Sequence, residues 1–120
     1  MKYLRYYENL IESETFKKIS VSFLSDWEST HTYVSFDPKI ISKLEEKYIN
    51  SRIEIDKYKN IQMIKMYNMP KYDCISLIYY DDNWIIVQTE EEVHDDSWTI
   101  EHYICDDEIG LFDCLDFLIK

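Results

Sequence analysis

The stretch from Tyr72 to Lys120 constrains the fold more than any other part of the chain. Its runs Asp73–Tyr80 and Trp84–Thr89 are rich in isoleucine, tyrosine and valine, which favour strands. The segment Asp81-Asp82-Asn83 separates them, and Asn83 tolerates the left-handed backbone conformation that closes a tight turn. The pattern predicts an antiparallel hairpin.

A third strand and a helix complete this unit. Trp98–Cys105 alternates in polarity, so we expect a strand there, after the acidic connector Glu90–Asp96. A helix should begin at Asp106 or Asp107, because carboxylates match the positive end of the helix dipole. Gly110 in its first turn would weaken that helix unless another part of the chain approaches closely, so we expect a strand to pack against it.

The first 71 residues contain shorter elements. Asp37 as a cap and Pro38 at the first helical position predict a helix that ends near Asn50-Ser51. The other predicted elements are a helix over 1–13, strands over Ile19–Leu24, Thr32–Phe36, Arg52–Asp56 and Ile61–Tyr67, and a turn over Ser25–Ser29.

These elements predict one α+β domain over residues 1–120, with a mostly antiparallel sheet of four to six strands and N-terminal, central and C-terminal helices. A chain of 120 residues suits one core, and its 46% hydrophobic share argues against disorder. Residues 1–12 are also a candidate for a separate targeting or docking helix. The three cysteines lack metal or redox spacing, and no apolar run approaches the ~20 residues of a membrane span, which predicts a reduced cytoplasmic chain without a membrane role.

The net charge is confined to the second half of the chain. Residues 1–60 hold ten basic and ten acidic side chains, whereas residues 61–120 hold three lysines and fourteen acids, which gives the whole net charge of −11. A strongly anionic surface repels nucleic acid and speeds encounter with basic proteins. The simpler interpretation is that these acids only solubilise the surface.

No catalytic or metal-binding pattern is present. His102 and Cys105 lie three apart on a predicted strand, so they face opposite sides and fail as a nucleophile pair. The acids of Glu90–Asp96 and Asp106–Glu108 lack the glycine turn of a calcium loop. The single glycine also excludes phosphate-binding loops. We therefore predict no enzyme activity, no metal and no cofactor.

The aromatic residues beside these acids indicate a protein-binding surface. Aromatic side chains are enriched at the centres of protein interfaces, and carboxylates beside them would suit a basic partner. The alternative is that these aromatics only fill the core. The predicted partner-binding residues are Asp81, Asp82, Trp84, Glu90, Glu91, Glu92, Asp95, Asp96 and Trp98.

Two stretches carry a resemblance to viral proteins. The opening MKYLRYYENLIES resembles the start of many small proteins of large tailed phages and related viruses. The ending YICDDEIGLFDCLDFL, preceded by YYDDNWIIV, is similar to the C-terminal pattern of a group of such proteins. The resemblance implies a viral origin and brings no activity with it.

The opening is also similar to capsid-targeting peptides of T-even-like phages, which a prohead protease removes after a hydrophobic-x-Glu sequence. Leu10-Ile11-Glu12 stands at the matching positions. This resemblance implies a packaged internal head protein.

Three functions remain open from sequence. The first is a non-enzymatic acidic module that neutralises a basic host or defence protein in the host cytoplasm. The second is a virion-associated protein addressed by residues 1–12. The third is an immunity protein that masks a toxin's basic active site. The sequence does not fix the oligomeric state.

Overall fold

The computed structural model describes residues 15–58, 61–94 and 97–119. These residues form an α+β fold with three helices and one six-stranded antiparallel sheet, which confirms the predicted fold class. The predicted helix over 1–13 lies outside the described residues. In chain order the elements are β1 (Phe16–Ile19), α1 (Val21–Glu28), α2 (Lys39–Lys47), β2 (Arg52–Tyr58), β3 (Ile61–Tyr67), β4 (Cys74–Tyr79), β5 (Ile85–Glu92), β6 (Trp98–Cys105) and α3 (Glu108–Leu118).

The sheet is a meander with one added edge strand. Strands β2 to β6 follow one another in space as they do in sequence, and β1 pairs with the free side of β6. The order is β1-β6-β5-β4-β3-β2. The hairpin and third strand predicted from residues 73–105 are β4, β5 and β6.

One face of the sheet carries most of the core. Strand alternation directs every second side chain to this face, where α2 and α3 cover it. We call it the helix face. Its buried strand residues include Ile64, Met66, Ile75, Leu77, Ile85, Val87, Tyr103 and Cys105, and its buried helix residues include Ile40, Leu44, Leu111, Cys114 and Leu115.

The opposite face, here called the second face, has a smaller cluster under α1. Leu24 of α1 packs with Tyr80, Ile86 and Ile104, and Trp27 and Trp84 border them. Since α1 has eight residues, this cluster occupies only one end of the second face.

Helix α3 begins as its sequence predicts. Asp107 is the N-cap, and its Oδ1 accepts the Gly110 N–H at 2.9 Å. A Cβ at Gly110 would overlap the Thr15 carbonyl oxygen, so the expected close approach is present, at the residue that precedes β1. The glycine therefore allows α3 to pack against the edge of the sheet.

Helix α2 begins at Lys39, one residue later than predicted, with Pro38 at the N-cap position. Asp37 Oδ1 accepts the Lys39 N–H at 2.9 Å, directly before the helix. The helix ends at Lys47, slightly before the predicted end near Asn50-Ser51.

The strand predicted over Ile19–Leu24 and the turn predicted over Ser25–Ser29 are wrong. The strand there is β1, which ends at Ile19, and α1 occupies Val21–Glu28. Ser20 caps α1, because its Oγ accepts the Phe23 N–H at 3.1 Å. This local cap outweighs the strand preference of the apolar run.

The strand predicted over Thr32–Phe36 is also wrong. The segment makes one isolated bridge, between Tyr33 and Tyr80. Strand β3 pairs with β4 as far as Ile78. Only the residues after Ile78 are therefore left on that side of β4 to pair with the segment Thr32–Phe36.

Candidate functional site

Nine of the twelve acidic side chains described in residues 61–119 lie at the two ends of the sheet, whereas Glu101 lies within β6 and Asp113 and Asp116 lie in α3. Ile85 of β5 pairs with Cys105 of β6, and Glu92 pairs with Trp98, so β5 runs from one end to the other. Seven residue steps of about 3.4 Å separate these pairs by roughly 24 Å. The acids therefore form two groups rather than one.

We name the two groups by their main residue type. The aspartate end lies where β4 and β6 finish and β5 begins, and the glutamate end lies where β5 finishes and β6 begins. The aspartate end comprises Asp81, Asp82, Trp84, Asp106, Asp107 and Glu108, and the glutamate end comprises Asp73, Glu90, Glu91, Glu92 and Trp98.

The predicted site residues are divided between these ends. Asp81, Asp82 and Trp84 belong to the aspartate end, and the glutamates with Trp98 belong to the glutamate end. Asp95 and Asp96 lie outside the described residues. The predicted connector Glu90–Asp96 starts too early, because Glu90, Glu91 and Glu92 continue β5 by pairing with Ile100, Thr99 and Trp98.

At the aspartate end, carboxylates bind other parts of the same chain. Asp81 Oδ2 accepts a hydrogen bond from the Thr32 hydroxyl at 3.1 Å. Asp107 caps α3, and Glu108 Oε2 lies 2.6 Å from Lys43 Nζ of α2. The Asp81 contact joins the turn after β4 to the segment at Thr32, and the Glu108 ion pair joins α3 to α2.

The turn at this end is a short 3-10 segment with a left-handed backbone. Asp82 has φ 59° and Asn83 has φ 67°. The sequence predicted this conformation for Asn83, and Asp82 shares it, since short polar side chains tolerate it best. The turn brings Trp84 back to the sheet, where the Tyr80 N–H binds the Trp84 carbonyl oxygen at 2.8 Å.

Glu28 of α1 is an acid that no sequence pattern singles out. Its Oε2 accepts hydrogen bonds from the hydroxyls of Tyr80 at 2.5 Å and Tyr33 at 2.9 Å. Burial and the bond to Glu28 raise the pKa of Tyr80, so its phenol stays neutral and donates. Only the tertiary fold reveals this contact, because the Tyr80 and Glu28 positions are far apart in sequence.

Trp84 belongs to an aromatic cluster and is only partly exposed. Its ring meets Trp27 edge-on, with centroids 6.1 Å apart. Trp27 also stacks on His31 at 3.8 Å and meets Tyr80 edge-on at 4.8 Å. The aromatic residues at this end therefore agree with the alternative interpretation, in which they fill the core.

The glutamate end presents apolar side chains to solvent. Trp98 is 51% exposed and Ile100 is 50% exposed. Strand alternation places both on the second face, opposite Glu92 and Glu90 respectively. The sequence predicted Trp98 as a contact residue but did not single out Ile100.

The carboxylates of the glutamate end have few contacts with other described residues. Glu90 Oε2 accepts a hydrogen bond from Gln88 Nε2 at 3.1 Å. Across residues 15–58, 61–94 and 97–119, none of the five ion pairs includes Glu90, Glu91 or Glu92. Asp73 differs, because its Oδ2 accepts the Glu92 N–H at 2.7 Å.

His102 sits between the two ends on the second face. Its Nε2 lies 3.1 Å from Gln88 Oε1. Burial lowers the pKa of His102 from 6.5, with a smaller opposing effect of Glu28. The neutral ring is therefore a structural partner of Gln88.

Cys105 lies on the helix face, away from His102. A hydrogen bond with Cys114, together with burial, raises the pKa of the Cys105 thiol. All three cysteines are buried and unbridged. A buried neutral thiol is a poor nucleophile.

A cavity of about 490 Å³ opens between the N-termini of α2 and α3. Asp37, Tyr79, Asp107 and Glu108 are among its lining residues. The Tyr79 hydroxyl has no hydrogen-bond partner within the described residues. The three carboxylates, by contrast, are already bound as caps or in an ion pair.

The described residues contain neither a metal-binding cluster nor a membrane-spanning helix. No group of three or more His, Cys, Asp or Glu side chains there is arranged to hold a metal ion. No helix among them has the length and apolar character needed to cross a membrane. In comparisons with known proteins, no family model, no curated protein and no solved structure matches this chain.

Proposed function

We propose that the protein is an acidic binding module that contacts a basic partner protein through its glutamate end. The observation that carries this proposal is the half-exposed Trp98, which stands beside carboxylates that have no basic partner among the described residues. Exposed tryptophan supplies a large apolar anchor, and interfaces concentrate their binding energy in such residues.

The charge distribution favours a basic partner. Residues 61–120 carry the whole net charge of −11, and three of the lysines of the first half that are described, Lys18, Lys43 and Lys47, pair with acids of the second half. The acids that remain without a basic partner in the described part of the chain generate an anionic field, which raises the association rate with cationic proteins and weakens as salt is added. The module therefore needs no catalytic group.

The resemblance to phage proteins gives this binding a purpose. A small acidic viral protein in the host cytoplasm would neutralise a basic host or defence protein by covering its cationic surface. Immunity against a toxin uses the same chemistry, so the identity of the partner separates the two. The packaged-protein hypothesis depends on residues 1–12 and stays a prediction.

Selection from a random peptide library, with this protein as bait, tests the proposal while the partner is still unidentified. We expect enriched peptides to be cationic and their affinity to fall as salt rises. Enrichment of neutral or acidic peptides, or peptide affinities that do not change with salt, would contradict a module that attracts its partner by charge.

Matched variants locate the contact. Glu90→Gln, Glu91→Gln and Glu92→Gln together should lower the affinity of the selected peptides by about tenfold at low salt. The control replaces three exposed acids elsewhere, Asp26→Asn with Glu45→Gln and Glu46→Gln, and removes the same charge. Equal losses in both variants would mean that net charge alone binds the peptide.

A further inference from the structure

We propose that a second, aromatic pocket at the aspartate end binds an arginine side chain of the basic partner. The pocket has a volume of about 260 Å³ and lies between α1, the start of β5 and the end of β6. Phe23, Trp27 and Trp84 supply aromatic walls, Ile104 supplies an apolar surface, and Asp106 supplies a carboxylate. It is distinct from the glutamate end, roughly 24 Å away along β5.

The sequence builds the walls of this pocket from separate elements. Phe23 and Trp27 lie four residues apart on α1, so they share one side of that helix. The left-handed turn at Asp82 and Asn83 directs Trp84 back beside them. Phe23 remains 41% exposed, so the pocket is open to a side chain that arrives from solvent.

The chain already places a cation on one wall. Lys17 Nζ lies 5.3 Å from the centroid of the Phe23 ring, within the range of a cation–π contact. Lys17 also lines the pocket, and its side chain is exposed. A flexible surface lysine is a weak internal ligand, and a cation from a partner can displace it.

Asp106 makes the pocket more favourable for an arginine side chain than for a lysine side chain. The residue is exposed, and its backbone N–H binds the Thr15 carbonyl oxygen at 3.1 Å, which fixes its position at the end of β6. A guanidinium group stacks on aromatic rings and donates two parallel hydrogen bonds to one carboxylate, whereas an ammonium is more strongly hydrated. Arginine therefore fits this combination of indoles and carboxylate better than lysine.

The proposed pocket rests on the proposed function in one respect only, namely that the arginine belongs to a basic partner protein. The pocket itself can be tested with a small probe, N-acetyl-arginine-methylamide, and with N-acetyl-lysine-methylamide in parallel. The chain has three tryptophans, and Trp98 lies at the other end of the sheet, so the indole N–H signals in an NMR titration include an internal control.

We expect the arginine probe to shift the signals of Trp27 and Trp84 and leave Trp98 unchanged. The lysine probe should bind about threefold more weakly. Asp106→Asn should weaken arginine binding about three- to tenfold, and Lys17→Gln should strengthen it, because the internal cation is removed. Asp26→Asn is the matched control: it removes one exposed carboxylate of α1, outside the pocket lining.

Three results would overturn the pocket. They are an absence of shifts at Trp27 and Trp84, equal shifts at all three tryptophans, or equal losses from Asp106→Asn and Asp26→Asn. If the pocket fails while cationic peptides still bind at the glutamate end, the proposed function stands without it. If the probe binds but the library yields no cationic peptide, the pocket stands and the proposed function fails.

Discussion

The aspartate end and the glutamate end both carry several carboxylates, but these carboxylates differ in their contacts with the rest of the fold. At the aspartate end, Asp81, Asp107 and Glu108 bind a hydroxyl, a helix N-terminus and a lysine of the same chain. At the glutamate end, Glu90 and Glu92 lie on the same face as an exposed tryptophan and pair with no basic side chain of the described residues. Acidic side chains in one sequence thus divide into those that bind other groups of the same fold and those that we propose contact a partner.

This difference predicts that stability and binding respond to different substitutions. Changes at Asp81, Asp107 or Glu108 should lower the free energy of unfolding, and changes at the glutamate end should lower the affinity for a cationic peptide. Substitutions that displace backbone or remove an aromatic anchor should have larger effects than the loss of one hydrogen bond or one titrating group.

Gly110→Ala should have the largest effect on stability. The new Cβ would overlap the Thr15 carbonyl oxygen, which is backbone, so α3 or the start of β1 must move. We expect a loss of about 1–3 kcal/mol in urea unfolding. A gain in stability, as expected for alanine in an unhindered helix, would show that this approach is not tight.

Trp98→Ala should have the largest effect on binding. Losing an aromatic anchor at the centre of a contact costs about 2 kcal/mol or more, which is roughly a thirtyfold rise in the Kd of a selected peptide. The side chain is 51% exposed, so stability should change by only about 0.5 kcal/mol. Unchanged peptide affinity, measured by titration calorimetry, would remove Trp98 from the site.

Asp107→Ala should destabilise the protein and leave peptide binding at the glutamate end unchanged. The substitution removes the cap that accepts the Gly110 N–H, at a cost of about 1 kcal/mol. Asp107→Asn should retain most of the stability, since asparagine also caps helices. Equal losses for alanine and asparagine in thermal unfolding would mean that charge rather than capping matters there.

His102, which lies between the two ends of the sheet, should make the free energy of unfolding depend slightly on pH. Burial lowers its pKa in the fold below 6.5, so the unfolded chain binds more protons once the pH falls below about 6.5. Stability should therefore be full above that pH and decline below it. His102→Gln should flatten the slope between pH 7.5 and 5.5, and equally steep slopes in both proteins would contradict this role.

Local signals in the sequence predicted much of the fold. Asn83 marked the hairpin turn, Asp107 marked the start of α3, and Gly110 marked a close approach, because each depends on neighbouring backbone geometry. Helix α1 was missed because the apolar run after Ser20 also resembles a strand, and the serine cap decided between the two.

The site was harder to predict because it depends on exposure and tertiary contact. The sequence gave no sign that Ile100 is exposed while Ile104 on the same face is buried. Helix α1 makes that difference by covering only one end of the face. Likewise, Glu28 meets Tyr80 only after α1 has folded over the sheet.

One paired experiment tests the division between the two ends most directly. It compares two variants that each lose three charges: Glu90→Gln, Glu91→Gln and Glu92→Gln at one end, and Asp81→Ala, Asp107→Ala and Glu108→Gln at the other. For each, urea unfolding gives stability, and titration at low salt gives affinity for a selected cationic peptide. We predict that the first variant loses affinity with stability retained, and that the second loses stability with affinity retained. Parallel losses in both variants would contradict the division of roles.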